Sequence, residues 1–146
     1  MKINIFFSFC YLLIGTTLAH GAVIMVSPGQ SVQAAINSAS TGDEIVLQPG
    51  SYDEDLNVTD KGLTLRAFSL PLVVNSITVS NSSTPFKFEN FQLLADINAT
   101  GSDLEIRNAN IAGNIKVNQG GLKLTKSTID KHVFINHPTT PSGAKG

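Results

Sequence analysis

Hydrophobic residues in the second half of the chain recur with a period of eighteen residues. Three successive rows read FKFENFQLLADINATGSD from Phe86, LEIRNANIAGNIKVNQGG from Leu104 and LKLTKSTIDKHVFINHPT from Leu122. Five positions in each row are apolar. By column they are Phe86, Leu104 and Leu122; Phe88, Ile106 and Leu124; Leu93, Ile111 and Ile129; Ile97, Ile115 and Val133; and Ala99, Val117 and Ile135. A fixed period of this kind is typical of a repeat architecture.

The spacing within each row predicts three short strands. The apolar positions lie at i, i+2, i+7, i+11 and i+13, and residues two apart lie on the same face of a strand. Short strands that repeat without a hairpin reversal indicate the coils of a parallel β-helix. An antiparallel meander is the alternative, but it would not naturally repeat the same residue types every eighteen residues.

The polar columns support stacking of the rows. Lys87, Glu105 and Lys123 share one column, so opposite charges alternate between strands that stack about 4.7–4.9 Å apart. Glu89 and Arg107 form a second opposite pair. Asn90 and Asn108 align just after the first strand, where their side chains can hydrogen-bond as in a cross-β ladder, and Lys126 interrupts that ladder in the third row.

A short amphipathic helix is predicted at about 31–39, ahead of this repeat. Ser31 can cap it and Gly42 is suited to end it. Its apolar positions are Val32, Ala35, Ile36 and Ala39. The run from Ile45 to Leu47 then predicts a strand that begins the first coil, and alternation at Leu56/Val58 and Leu63/Leu65 predicts two more. Terminal repeats need caps, so we expect the helix to cover one end of about five coils.

The N-terminal stretch MKINIFFSFCYLLIGTTLA predicts a signal peptide over residues 1–19, with cleavage after Ala19 and a secreted or periplasmic product. A membrane span is the alternative, but the apolar run is short for one. Cys10 lies within this stretch, so the mature chain would carry no cysteine and would depend on core packing and backbone hydrogen bonds. We expect a single β-helix domain over 20–136 and a polar tail over 137–146.

Composition narrows the possible partners. The chain has 146 residues, a net charge of −1 and only 14% charged residues. This balance gives no basic footprint for nucleic acid. After removal of the signal peptide no membrane contact is expected either.

The segment VSPGQSVQAAINSASTGDEIVLQPGSYDEDLNVTDKGLTLRA, residues 26–67, resembles the N-terminal part of pectin-lyase-like right-handed β-helix proteins. The matching features are the Pro-Gly turn, Ser-Val-Gln with the small helix, Gly-Asp before an Ile-Val-Leu strand, and Pro-Gly-Ser-Tyr-x-Glu. That group includes pectinesterases and sugar-hydrolase and carbohydrate-binding β-helix domains. The resemblance implies a right-handed coil and a secreted protein that acts on or near polysaccharide.

The resemblance brings no catalytic residues. The chain has no Gly-Asn-Val-Asp-Phe-like strand, no Asp-Asp pair and no Gly-His-Gly motif, and Arg66 and Arg107 are its only arginines. We therefore expect a noncatalytic protein with no cofactor and no metal, which binds polysaccharide or serves a structural role. The alternative is a truncated or divergent carbohydrate-active enzyme that lacks its catalytic coils.

Three local groups could carry other chemistry. Asp53, Glu54 and Asp55 could bind Ca²⁺, which takes oxygen ligands, although a solvated turn with a structural Glu54 is the expected interpretation. His132 and His137 are five apart and would lie on opposite faces of a strand, which disfavours a metal pair. His20 would become an N-terminal copper ligand only on a different fold.

Asn57, Asn81 and Asn98 begin N-glycosylation sequons, whose use depends on the host. The residues after the last coil are not apolar enough to cover its strands. We therefore expect that end to pack on a partner, either a second copy in end-to-end self-association or the missing coils of a longer chain.

Overall fold

The computed structural model describes residues 21–68, 72–73 and 75–136. The predicted signal peptide over 1–19, His20, His137 and the tail over 137–146 lie outside these residues. The expectations attached to them, including the boundaries of the single domain, stay predictions.

One helix and sixteen strands make up the described part of the chain. In chain order they are β1 (Val23–Val26), α1 (Val32–Ser38), β2 (Glu44–Leu47), β3 (Gly50–Ser51), β4 (Asp55–Thr59), β5 (Thr64–Ala67), β6 (Leu72–Val73), β7 (Ser76–Ser80), β8 (Phe86–Glu89), β9 (Gln92–Leu93), β10 (Asp96–Thr100), β11 (Leu104–Arg107), β12 (Asn110–Ile111), β13 (Ile115–Asn118), β14 (Leu122–Thr125), β15 (Thr128–Ile129) and β16 (Val133–Asn136).

The strands from β2 onward form five coils of three strands each. On two sides of the solenoid, each strand pairs in parallel with its counterpart in the next coil, giving a six-stranded sheet β1-β2-β5-β8-β11-β14 and a five-stranded sheet β4-β7-β10-β13-β16. The third side is formed by β3-β6 and β9-β12-β15. The protein is therefore an all-β parallel β-helix of about five coils, as predicted, and the antiparallel meander is wrong. Its right hand rests on the resemblance alone and stays a prediction.

The register confirms the eighteen-residue columns. Leu104 lies opposite both Phe86 and Leu122, and Ile115 lies opposite both Ile97 and Val133. The period does not extend to the first coils, because Thr64 pairs with Lys87, twenty-three residues later. Longer turns between the early strands absorb the additional residues without changing the stacking.

Inward-facing side chains of neighbouring coils stack into one continuous core. Ile45, Leu65, Phe88 and Ile106 form one such column, and each is at most 2% exposed. The rings of Phe86 and Phe88 lie 4.7 Å apart, and both are among the largest fully buried side chains. Their strand, β8, belongs to the third of the five coils, near the middle of the solenoid. Burial of a side chain of this size contributes about 1.5–3 kcal/mol, so these columns provide much of the stability.

The predicted capping helix is present, with two corrections. α1 ends at Ser38, and Ala39 already has extended backbone, so Gly42 does not end the helix. Gly42 instead has φ +93 in the turn before β2, a conformation that suits glycine. The strand at Ile45 begins the first coil, as predicted, but one strand more is present than was predicted, because β1 precedes α1 and pairs with β2. β1 is a four-residue apolar run with no alternation to mark it as a strand.

Candidate functional site

Two of the outward rows of the five-stranded sheet carry mainly polar side chains, and these two rows are here called the polar face. The first row is Asn57, Thr78, Asn98, Lys116 and Phe134; the second is Thr59, Ser80, Thr100, Asn118 and Asn136. Residues at alternate positions along each strand point outward, and the strands are in register, so these side chains form a regular grid. The inward columns were predicted from the sequence and this face was not, although the eighteen-residue alignment contains its residues from the last three coils.

Much of the hydrogen-bonding capacity of the polar face is directed at solvent. The hydroxyls of Thr59 and Ser80 lie 3.2 Å apart, and the Asn136 amide donates to Asn118 Oδ1 at 2.8 Å. The outward side chains of Asn57, Thr78, Asn98 and Thr100 are exposed. Amides and hydroxyls both donate and accept, so each can bond a ligand hydroxyl in either role.

An aromatic pair lies at the lower end of the polar face. Phe134 is 51% exposed, and its ring stacks on that of His132 with a centroid distance of 5.8 Å and an interplanar angle of 28°. In the sequence, His132 stood out only as one half of a disfavoured metal pair with His137. In the structure it forms an exposed aromatic surface with Phe134, next to Lys116 on the neighbouring strand.

Carboxylates at the start of two of these strands accept hydrogen bonds from residues of the next coil. Asp55 Oδ1 accepts from the Ser76 hydroxyl at 2.6 Å. Asp96 Oδ1 accepts from the Asn114 backbone amide at 2.7 Å and from its side-chain amide at 3.1 Å. These bonds from Asn114 lower the pKa of Asp96, which therefore acts as an ionised structural acceptor.

Glu54, the central residue of the acidic turn at 53–55, hydrogen-bonds to the start of α1. The Glu54 carboxylate accepts from the amides of Val32 at 2.9 Å and Gln33 at 3.0 Å, and from the Ser31 hydroxyl at 2.9 Å. Partial burial raises the pKa of Glu54, but the bonds from Gln33, Val32 and Ser31 outweigh that effect and lower the pKa overall. Glu54 thus caps the first turn of α1.

The calcium alternative for this turn has no support from the geometry. Glu54 faces the helix, whereas the neighbouring Asp55 bonds to Ser76. Within residues 21–68, 72–73 and 75–136, no three His, Cys, Asp or Glu side chains are grouped so that they could hold a metal ion.

The outer side of the six-stranded sheet, here called the charged face, carries compensated charges. The predicted register of Lys87, Glu105 and Lys123 is confirmed, and Lys123 Nζ lies 3.6 Å from Glu105. Glu89 and Arg107 are also in register, but Arg107 makes its ion pair with Glu105, at 3.8 Å.

Arg66, the other arginine, bonds to Glu44 on the same face. Both arginines thus neutralise neighbouring glutamates. The ion pairs that join different strands help to fix the register of the charged face. Each guanidinium thus has a glutamate partner within the protein.

The predicted asparagine ladder is confirmed. Asn108 Nδ2 donates to Asn90 Oδ1 at 2.8 Å, and both residues have positive φ at a corner between sheets. Asparagine tolerates this conformation better than most residues, which explains its use at both positions. Lys126 adopts the same backbone conformation directly below them. The Asn118–Asn136 pair is a second ladder that the sequence analysis missed.

Two of the three predicted sequons lie on the polar face. Asn57 and Asn98 belong to its first row, and the threonines of their sequons, Thr59 and Thr100, belong to the second. Asn81 lies at a corner with φ 55. A glycan at Asn57 or Asn98 would stand on the polar face and cover it.

Comparisons of the chain with models of protein families, with curated proteins and with solved structures give no match. Within the part of the chain that the structure describes, no helix has the length and apolar character required to cross a bilayer.

Proposed function

We propose that this protein is a secreted, noncatalytic β-helix of the pectin-lyase-like group and that it binds polysaccharide on its polar face. The observation that carries the proposal is the grid of outward amides and hydroxyls that ends at the exposed Phe134–His132 pair. The N-terminal resemblance and the five parallel coils support the group, and the predicted signal peptide supports secretion.

The chemistry of a sugar chain matches this surface. Each sugar presents hydroxyls, which donate and accept hydrogen bonds, and an apolar face of C–H groups. Asn98 and Thr78 can bond the hydroxyls, while the Phe134 ring offers apolar area that needs little ordering on binding. A flat sheet suits an extended polymer better than a deep pocket does.

A noncatalytic role is supported by what the ionisable residues do. Glu54 caps α1, Asp96 holds Asn114, and Arg66 is paired with Glu44. General acid–base or nucleophilic chemistry would require such groups to reach a substrate. We propose binding without bond cleavage.

The test is binding of the mature chain, 20–146, to a panel of immobilised and soluble polysaccharides. The protein is produced in a host without N-glycosylation, so that Asn57 and Asn98 stay free. Phe134→Ala and Asn98→Ala should each weaken binding about tenfold, as for central contact residues. Lys123→Ala, on the charged face, is the matched control and should bind as the wild type does. Equal effects of all three substitutions would contradict the assignment of the site.

We also propose that a second copy covers the open end of the last coil. Leu124, Val133 and Ile135 point inward yet are 41%, 41% and 43% exposed. Residues 137–146 hold only Ala144 and two prolines among polar residues and glycines, so they offer little apolar surface to cover this end. A second last coil presents aliphatic side chains of the same kind, and joining the two would remove both from water.

Sedimentation of the mature chain at micromolar concentration tests this association. We expect a dimer for the wild type and a monomer for Leu124→Glu, which places a charge on the open end. Thr125→Glu lies on the same strand but points outward, and should stay dimeric. A monomeric wild type would contradict the proposal.

A further inference from the structure

We propose that the polar face selects an uncharged polysaccharide and discriminates against polyuronates, the anionic polymers that the sequence resemblance would suggest. This inference rests on the proposed function and narrows it to a class of ligand. It follows from where the protein places its charges.

The polar face has little positive charge to offer an anionic chain. Lys116 is the single ionised side chain in its two rows, and two of the five strands, β4 and β10, begin with the carboxylates of Asp55 and Asp96. Asp60 follows the end of β4. Lys131 is close enough to Asp96 to help lower the pKa of that carboxylate, after the larger effect of the bonds from Asn114.

The remaining cations of the sheets lie elsewhere. Arg66, Lys87, Arg107 and Lys123 belong to outward columns of the charged face. A polyuronate carries one carboxylate per sugar. On the polar face it would lose hydration and meet Asp55 and Asp96 without a matching row of cations, and unpaired like charges at an interface are unfavourable.

A neutral chain meets no such penalty. Its hydroxyls can exchange bonds with water for bonds with Asn57, Asn98, Thr78 and Thr100. We place the chain along the first row, across the strands, because this direction meets all five coils, whereas one strand offers at most three outward side chains. Five strands spaced about 4.8 Å apart span roughly 19 Å, enough for several sugars.

The experiment uses two pairs of polymers that share a backbone and differ in charge. Fully methyl-esterified homogalacturonan is compared with de-esterified polygalacturonate, and hydroxyethyl cellulose with carboxymethyl cellulose. Binding to the unglycosylated mature chain is measured by calorimetry or affinity electrophoresis. In any backbone that binds, we expect the uncharged polymer to bind at least about tenfold more tightly.

Two further measurements distinguish selective binding from nonspecific adsorption. Affinity for the uncharged polymer should change less than about twofold between low and high salt, because screening acts on charge pairs. Phe134→Ala should reduce that affinity about tenfold while Lys123→Ala leaves it unchanged.

The outcomes distinguish the two proposals. Tighter binding of the anionic member, lost at high salt, would overturn the selectivity while polysaccharide binding stands. Binding of no polymer in either pair would overturn the selectivity, and failure across the whole panel as well would overturn the proposed function.

Discussion

The two ends of the solenoid are built from the same kind of coil but finished differently. At the N-terminal end, the side chain of Gln33 accepts from the Asn57 backbone amide at 2.8 Å and donates to its carbonyl at 3.0 Å. A single glutamine thus takes the place of a neighbouring strand along the edge of β4. This pairing protects backbone groups that would otherwise be open to another chain.

The helix that carries Gln33 is held at both termini by charges from the first coils. Glu54 accepts from the first amides of α1, and Lys61 Nζ donates to the carbonyls of Ile36 at 3.0 Å and Ala39 at 2.8 Å. A negative group at the N-terminus and a positive group at the C-terminus both favour the helix. The cap is therefore fastened by side chains as well as by its buried apolar face.

The last coil has no comparable cover within the described residues. Leu124 and Ile135 are 41% and 43% exposed, whereas Ile106 and Val117, one coil above in the same columns, are fully buried. The repeat sets which residues point inward. Whether that position is buried depends on what lies beyond the coil.

The largest expected effect is a difference in the stability lost on truncating two equivalent inward residues, one in a middle coil and one in the last coil. Ile106→Ala should lower the free energy of unfolding by about 2–5 kcal/mol, because it leaves a cavity in a fully buried column. Leu124→Ala should cost about half as much or less, since that side chain is already 41% exposed and its removal leaves no closed cavity. Urea unfolding of both variants at a concentration where the protein is monomeric is the measurement. Similar losses of unfolding free energy in the two variants would show that the last coil is covered, and would contradict the difference between the two ends of the solenoid.

A smaller effect is expected at the N-terminal cap. Glu54→Gln should lower the free energy of unfolding at neutral pH by about 1–3 kcal/mol, because charge-assisted bonds to the helix are lost. Asp53→Asn, on the same turn and exposed, is the matched control.

The pH dependence sharpens this prediction. The pKa of Glu54 in the folded protein is below its ordinary value of 4.5, so its contribution is present above that value and is lost as the pH falls through the folded pKa. The wild type should therefore lose more stability than Glu54→Gln between neutral and acidic pH. Parallel curves for the two proteins, measured by thermal unfolding, would argue against the capping role.

The smallest expected effect is a gain at the open end. Lys126 has φ 51, the conformation that Asn90 and Asn108 adopt above it. Lys126→Asn should extend the Asn90–Asn108 ladder by one bond and relieve backbone strain, raising the free energy of unfolding by about 0.5–1 kcal/mol. Lys126→Gln, with a longer side chain and no preference for this conformation, is the control. A gain for both variants would assign the effect to removal of the charge.

Repetition makes much of this fold readable from the sequence. The eighteen-residue columns identified the strands of the last three coils, the inward residues and the Asn90–Asn108 bond, because stacking in register forces like residues into contact. The capping helix was also predictable, since Val32, Ala35 and Ile36 give it one apolar face.

Other features depended on contacts between distant segments that no local pattern marks. The pairing of Gln33 with Asn57 joins residues twenty-four apart, and Glu54 reaches Val32 over twenty-two. Arg107 lies opposite Glu89, as expected, but its ion pair is with Glu105, and the register of the strands alone does not decide between these two carboxylates.

The sequence by itself determined the coil, because hydrophobic burial acts in the same way on every repeat of the pattern. Only the tertiary structure decided how each end is finished and which outward rows meet to form the polar face. The physical reason is that an end contact forms once, between two particular segments, and leaves no period in the sequence.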